Sequence, residues 1–118
     1  MHTIPEALEA LASGLPILVA DDADRENEGD FIVAAEFATA EIVNLFALRG
    51  RGLLCAALPP HRAQALGLSL DNAQGGPQAL HGTAFTASVD YIHSTSTGIS
   101  AADRSATFQA LASPAAQG

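Results

Sequence analysis

A chain of 118 residues, 48% of them apolar, can bury one hydrophobic core and has no room for two independent domains. Its formal charge of −8, with five Arg and no Lys, excludes a phosphate-tracking nucleic-acid surface, because nothing would replace the condensed counterions. A single cysteine, Cys55, excludes a disulfide framework and a multi-thiolate zinc site.

Thr3-Ile4-Pro5-Glu6 has the form of a capping box, and Leu8, Leu11 and Ala12 extend it into a short first helix ended by Gly14. The apolar runs Pro16 to Ala20 and Phe31 to Ala35 read as two strands flanking a charged loop. Thr39 caps a second helix with Ile42, Val43, Phe46 and Ala47 on one face, and Gly50 and Gly52 terminate it. Leu53 to Leu58 is strand-like, His61 to Leu68 suits a short helix, and Asp71 to Gly82 is polar and Gly-rich like a long loop. Thr83 to Ile92 alternates as a half-buried strand does. Ser100-Ala101-Ala102-Asp103 resembles a second capping box, opening a helix that ends near Pro114. The pattern is that of an α+β domain, a mixed sheet with helices packed on it, and strand order is not derivable from it. No apolar run approaches the roughly 20 residues that span a bilayer, and the N-terminus lacks the basic and apolar regions of a secretory signal, so a cytoplasmic location is expected.

Chemistry concentrates between Asp21 and Asp30, where six carboxylates (Asp21, Asp22, Asp24, Glu26, Glu28, Asp30) and the guanidinium of Arg25 share ten residues. Carboxylates at this density repel unless a cation or hydrogen-bond donors satisfy them, so the segment suits a hard divalent ion such as magnesium, and it also supplies groups for general acid-base work. A solvated acidic loop is the plainer alternative, and the spacing is not that of an EF-hand. Cys55 lies in an apolar run, where a small buried thiol is commoner than a reactive thiolate. His2, His61, His81 and His93 match no ligand spacing and are assigned no chemistry.

The segment Asp21-Asp22-Ala23-Asp24-Arg25-Glu26-Asn27-Glu28-Gly29-Asp30, followed by an apolar strand, resembles the signature of 3,4-dihydroxy-2-butanone 4-phosphate synthases. A second block, Gly82-Thr83-Ala84-Phe85-Thr86 through Ser96-Thr97-Gly98-Ile99-Ser100-Ala101-Ala102-Asp103-Arg104, is similar to that family's second signature. Arg49-x-x-Gly52-Leu53-Leu54-Cys55 is similar to its segment around an active-site cysteine. The resemblance implies conversion of D-ribulose 5-phosphate to 3,4-dihydroxy-2-butanone 4-phosphate and formate in riboflavin biosynthesis, with magnesium or manganese, by a homodimer. Carried over residue by residue, it implies Glu26 as metal ligand, Glu28, Asp30 and Cys55 in the catalytic site, and Asp21, Arg25 and Thr97 at the substrate. Asp103 and Arg104 then hold the turn and the helix start together. The His93-Ser94-Thr95-Ser96 approach to Thr97 is enlarged relative to the family's usual Gly-containing one.

Family members continue past the position of Pro114 through an Arg-Pro-Gly-His and a Gly-His-Thr-Glu-Ala segment, which carry a metal-binding histidine, phosphate-binding donors and a further glutamate. The expectation is therefore a single, incomplete synthase-like domain that does not turn over alone. A non-catalytic binding or oligomerisation module of the same descent is the alternative.

Overall fold

The computed structural model describes residues 2–24, 27–69 and 85–116. The first helix, α1 (Ile4–Ala12), is set by its cap. The Glu6 amide donates to Thr3 Oγ1 at 3.5 Å while the Thr3 amide donates to Glu6 Oε2 at 2.7 Å, so both sides of the capping box close. Gly14 ends this region in the left-handed conformation (φ +78°), and a Cβ there would lie 3.0 Å from the Phe37 ring, so both backbone and space call for glycine.

Strands β1 (Ile17–Ala20) and β2 (Gly29–Ile32) form an antiparallel hairpin in the register Ile17↔Ile32, Leu18↔Phe31, Val19↔Asp30, Ala20↔Gly29. A 3-10 turn (Ala35–Phe37) leads into α2 (Ala40–Arg49), where the Ile42 amide donates to Thr39 Oγ1 at 3.4 Å. Phe31 of β2 stacks on Phe46 of α2, ring centroids 5.3 Å apart and 20° from parallel, and this fixes the hairpin to the helix. Gly50 permits that approach, since a Cβ would meet Phe46 O at 2.8 Å and the Phe31 ring at 3.3 Å. The left-handed residue after α2 is Arg51 (φ +57°), not a glycine.

Helices α3 (Pro60–Ala65) and α4 (Ala101–Ala112) follow. Helix α4 packs on α2 and on the turn before it. Ala38 and Val43 are the buried apolar residues among those described, and Ser105 Oγ donates to the Ala38 carbonyl at 2.7 Å beneath them. The Arg62 guanidinium spans from α3 to the last turn of α4, donating to the carbonyls of Leu111 and Ala116 at 3.1 Å, Ala110 at 3.4 Å and Ser113 at 2.6 Å. Ala110 and Leu111 lie in the last turn of α4, Ser113 is its C-cap and Ala116 follows just beyond, so the guanidinium gathers carbonyls at a helix end, where a cation also complements the helix dipole.

Helices packed on a sheet are the α+β arrangement implied by the sequence, with the ladder among the described residues antiparallel and two-stranded. Two expected strands differ. Residues 53–58, and 85–92 of the expected strand 83–92 whose first two residues lie outside those described, carry no ladder among the described residues, because an apolar run becomes a strand only when a second strand lies alongside it. The short helix starts one residue earlier than expected and ends at Ala65, with Gly67 (φ +69°) turning the chain beyond it. The polar stretch 71–82 lies outside the described residues. Large apolar side chains remain in solvent, Ile4 at 76%, Leu53 at 75%, Ile92 at 81% and Ile99 at 69% exposure. No helix among the described residues is long and apolar enough to cross a membrane.

Candidate active site

The acidic segment is the loop of the β1–β2 hairpin. Beyond the last ladder pair, the Asp21 amide donates to the Glu28 carbonyl at 2.9 Å, closing the neck of the loop. Inside it the Asp22 amide donates to Asp21 Oδ1 at 2.8 Å and the Asp24 amide to Asp22 Oδ1 at 3.3 Å, the local bonding by which aspartate stabilises turns. Asn27 sits in the left-handed region at φ +53°, which asparagine tolerates better than most residues.

Register decides which carboxylates share a face. Side chains alternate along a strand, and directly opposed residues of an antiparallel pair point the same way. Val19 opposes Asp30, Ala20 opposes Gly29, and the bond between Asp21 and Glu28 continues the count. Asp21, Glu28 and Asp30 therefore belong to one face of the hairpin, and Phe31 to the other, where it meets α2. Glu28 and Asp30 are exposed and Asp21 is half-buried. Arg25 and Glu26, the expected substrate guanidinium and metal ligand, lie outside the described residues. Among the described residues no three His, Cys, Asp or Glu converge tightly enough to hold a metal ion. The donor type on the hairpin, oxygen from carboxylates, matches what a hard divalent cation takes.

Cys55 is an exposed free thiol on the segment after α2, so the commoner reading of its type, a buried small side chain, does not apply here. Thr97 is exposed in the turn before α4. That turn is held by Asp103, whose Oδ2 accepts from the Ser96 amide at 3.3 Å, Ser96 Oγ at 2.9 Å and the Gly98 amide at 3.0 Å. The capping box expected at Ser100 is half formed: the Asp103 amide donates to Ser100 Oγ at 3.0 Å, but the carboxylate reaches back to Ser96 and Gly98. Burial by itself raises the Asp103 pKa, and the donors from Ser96, Gly98 and Ser100 together outweigh it, leaving the carboxyl below its ordinary value.

Two features escaped the sequence. The Asp90 carboxylate packs over Gly98 (φ +77°), where a Cβ would lie 2.4 Å from Asp90 Oδ2, and Arg62 reaches α4 some fifty residues away. Neither has a local signal, since both pairings are made only by folding. A cavity of about 320 Å³ lies between the chain just after α3, α4 and residues 89–93, lined by Leu66, Val89, Tyr91, Ile92 and Leu111 among others. Asp90, His93 and Thr107 share its lining with those side chains, and none of the candidate site residues is among them.

Comparison with known proteins agrees with this arrangement. The family model described as 3,4-dihydroxy-2-butanone 4-phosphate synthase matches residues 5–118. The riboflavin biosynthesis protein RibBA of Cytophaga hutchinsonii is 50% identical over 115 residues, covering 97% of this chain and 28% of that protein. RibBA of Bacillus subtilis is 50% identical over 110 residues, 93% of this chain and 27% of that one. A solved 3,4-dihydroxy-2-butanone 4-phosphate synthase in complex with two magnesium ions superposes with a TM-score of 0.92 at 42% identity, over 99% of this chain and 54% of its own. The Candida albicans synthase gives 0.81 at 40% identity, over 99% and 56%. The chain thus spans about half the length of the solved synthases and less than a third of the curated relatives. With an acidic hairpin loop, a clamped threonine turn and a family match running nearly end to end, this chain belongs to the 3,4-dihydroxy-2-butanone 4-phosphate synthase family.

Proposed function

We propose that this chain supplies the carboxylate-bearing part of an active site that converts D-ribulose 5-phosphate to 3,4-dihydroxy-2-butanone 4-phosphate and formate. The observation that carries this reading is the placement of Asp21, Glu28 and Asp30 on one face of a hairpin, within a sequence that matches the family over residues 5–118.

The reaction begins by enolisation of a ketose phosphate, which needs one group to take a proton from carbon and another to return it to oxygen. Glu28 and Asp30, two residues apart on one face and open to solvent, are suited to that exchange, and a single positioned acid or base contributes about 10²–10⁴-fold. Arg25, Asp21 and Thr97 hold the sugar phosphate, the guanidinium being the natural partner of its charged oxygens. Cys55 lines the site and is not assigned as a nucleophile. Glu26 would hold a magnesium or manganese ion, which would polarise the oxygens of the sugar. Within this reading the chain is part of one synthase-like domain, acts in the cytoplasm and pairs as a homodimer.

Formate release from ribulose 5-phosphate and magnesium tests the proposal, with the chain alone and with the remaining portion of a relative's synthase domain added as a separate polypeptide. The chain alone is expected to give none, because positioning of substrate can supply on the order of 7–11 kcal/mol of a barrier and the anchoring groups of this family lie elsewhere. The mixture is expected to turn over and Glu26→Gln to abolish it. Robust formate production by the unassisted chain overturns this division of labour.

A further inference from the structure

Asp103 is 6% exposed and spends its carboxylate in an unusual direction for an acidic residue in the first turn of a helix. The helix start is already served by Ser100, whose Oγ accepts from the Asp103 amide. Asp103 Oδ2 instead gathers three donors, the Ser96 amide, Ser96 Oγ and the Gly98 amide. Those amides bracket a single residue, Thr97, which is exposed. From another side the Asp90 carboxylate closes on Gly98, whose left-handed backbone and lack of a Cβ are both required. The turn is thus fastened before and after Thr97 while its side chain is left open to solvent. Thr107, one helical turn beyond Asp103, extends the anchorage by accepting from the Tyr91 amide at 3.1 Å, which ties the approach to the turn onto the same helix.

We propose that Asp103 is a positioning residue for substrate, locking the 96–98 turn to α4 so that the Thr97 hydroxyl is presented in a fixed orientation to the sugar phosphate. This rests on the reading above that assigns Thr97 to substrate. An orienting group of this kind acts through the residue it orients, so its loss and the loss of Thr97 fall on the same interaction and do not add.

The experiment is a double-mutant cycle on the 118-residue chain, with D-ribulose 5-phosphate titrated in the presence of magnesium and followed by amide chemical shifts, which register millimolar binding. Thr97→Ala and Asp103→Asn are each expected to weaken binding roughly three- to tenfold, the range of one lost hydrogen bond, and the double variant to be no weaker than the weaker single one within about twofold. Effects that multiply, or an Asp103→Asn chain that binds like the unaltered one, overturn the inference. Circular dichroism checks that Asp103→Asn is folded. If it is not, Ser96→Ala, which removes one of the three donors, replaces it: about two- to threefold weakening that vanishes in the Thr97→Ala background supports the inference, and an equal loss in both backgrounds refutes it. Unaltered binding by Thr97→Ala removes the assignment of Thr97 and the inference with it. If the unaltered chain alone binds nothing, the same cycle is read in the mixture with the remaining portion of a relative's synthase domain, where absence of both binding and formate release overturns the proposed function itself, so the two failures are distinct.

Discussion

The carboxylate of Asp103 accepts a hydrogen bond from the backbone amide of Gly98, 3.0 Å away and five residues earlier in the chain. Together with the two bonds from Ser96 to the same oxygen, it joins the N-terminal turn of α4 to the loop carrying Thr97, and all three are stronger to the ionised carboxylate than to the neutral acid.

Acid should therefore loosen the turn. The carboxyl of Asp103 is held below its ordinary value, burial opposing and the donors from Ser96, Gly98 and Ser100 prevailing; Glu6 is lowered by Thr3, and Glu41 by its own amide and then Thr39. A carboxyl depressed in the folded state stabilises fully above its unfolded pKa and loses that contribution as pH falls through the folded one. The window thus opens near the ordinary carboxylate values, about pH 4, and extends below them. Urea unfolding midpoints measured from pH 6 to pH 2.5 are expected to fall in that window, and less steeply in Asp103→Asn. An unchanged acid slope in that variant would show that Asp103 is not the group responsible.

Arg62 should be irreplaceable by lysine. Its planar guanidinium donates to four carbonyls at and just beyond the end of α4, a fork that a single ammonium cannot reproduce. Arg62→Ala is expected to cost about 2–3 kcal/mol in equilibrium unfolding, and Arg62→Lys to recover less than half of it. Faster amide exchange confined to the last turn of α4 would accompany both. Full recovery by lysine would mean that charge alone caps the helix.

Metal binding by the 118-residue chain should be weak. Hard divalent ions need several fixed oxygens, and the described residues bring no three candidate ligands together. Calorimetric titration with magnesium or manganese is expected to give millimolar affinity that Glu26→Ala abolishes. Micromolar affinity that survives this substitution would place the ligand elsewhere.

Association should depend on concentration. Ile4, Leu53, Ile92 and Ile99 leave most of their surface in water, and Ala38 and Val43 are the only buried apolar side chains, large or small, among the described residues. Covering apolar surface is favourable by roughly 25 cal/mol per Å², so sedimentation at tens of micromolar is expected to show dimers or larger species. A monomer without concentration dependence would count against it.

The local elements were legible in the sequence because their causes are local. Thr3 with Glu6, Thr39 and Ser100 each cap the helix expected from them, and the runs before and after the acidic loop form the hairpin. The run 53–58 misled, since its apolar composition specifies burial in general and not a pairing partner. Cys55 changed from a candidate buried thiol to an exposed one. The second capping box was half right, because a short aspartate that finds three donors in the preceding turn does not return to its own cap.

By itself the sequence determined which groups this protein has for chemistry, six carboxylates and an arginine in one loop, and which family carries them, because those are matters of residue type and order. Only the tertiary structure decided that Asp21, Glu28 and Asp30 share a face turned away from Phe31, that Thr97 is held open between bonds to Asp103, and that Arg62 closes α4. Strand register, and bonds between residues distant in the chain, are settled by whichever partner folding brings within reach, and no local run of residues names that partner.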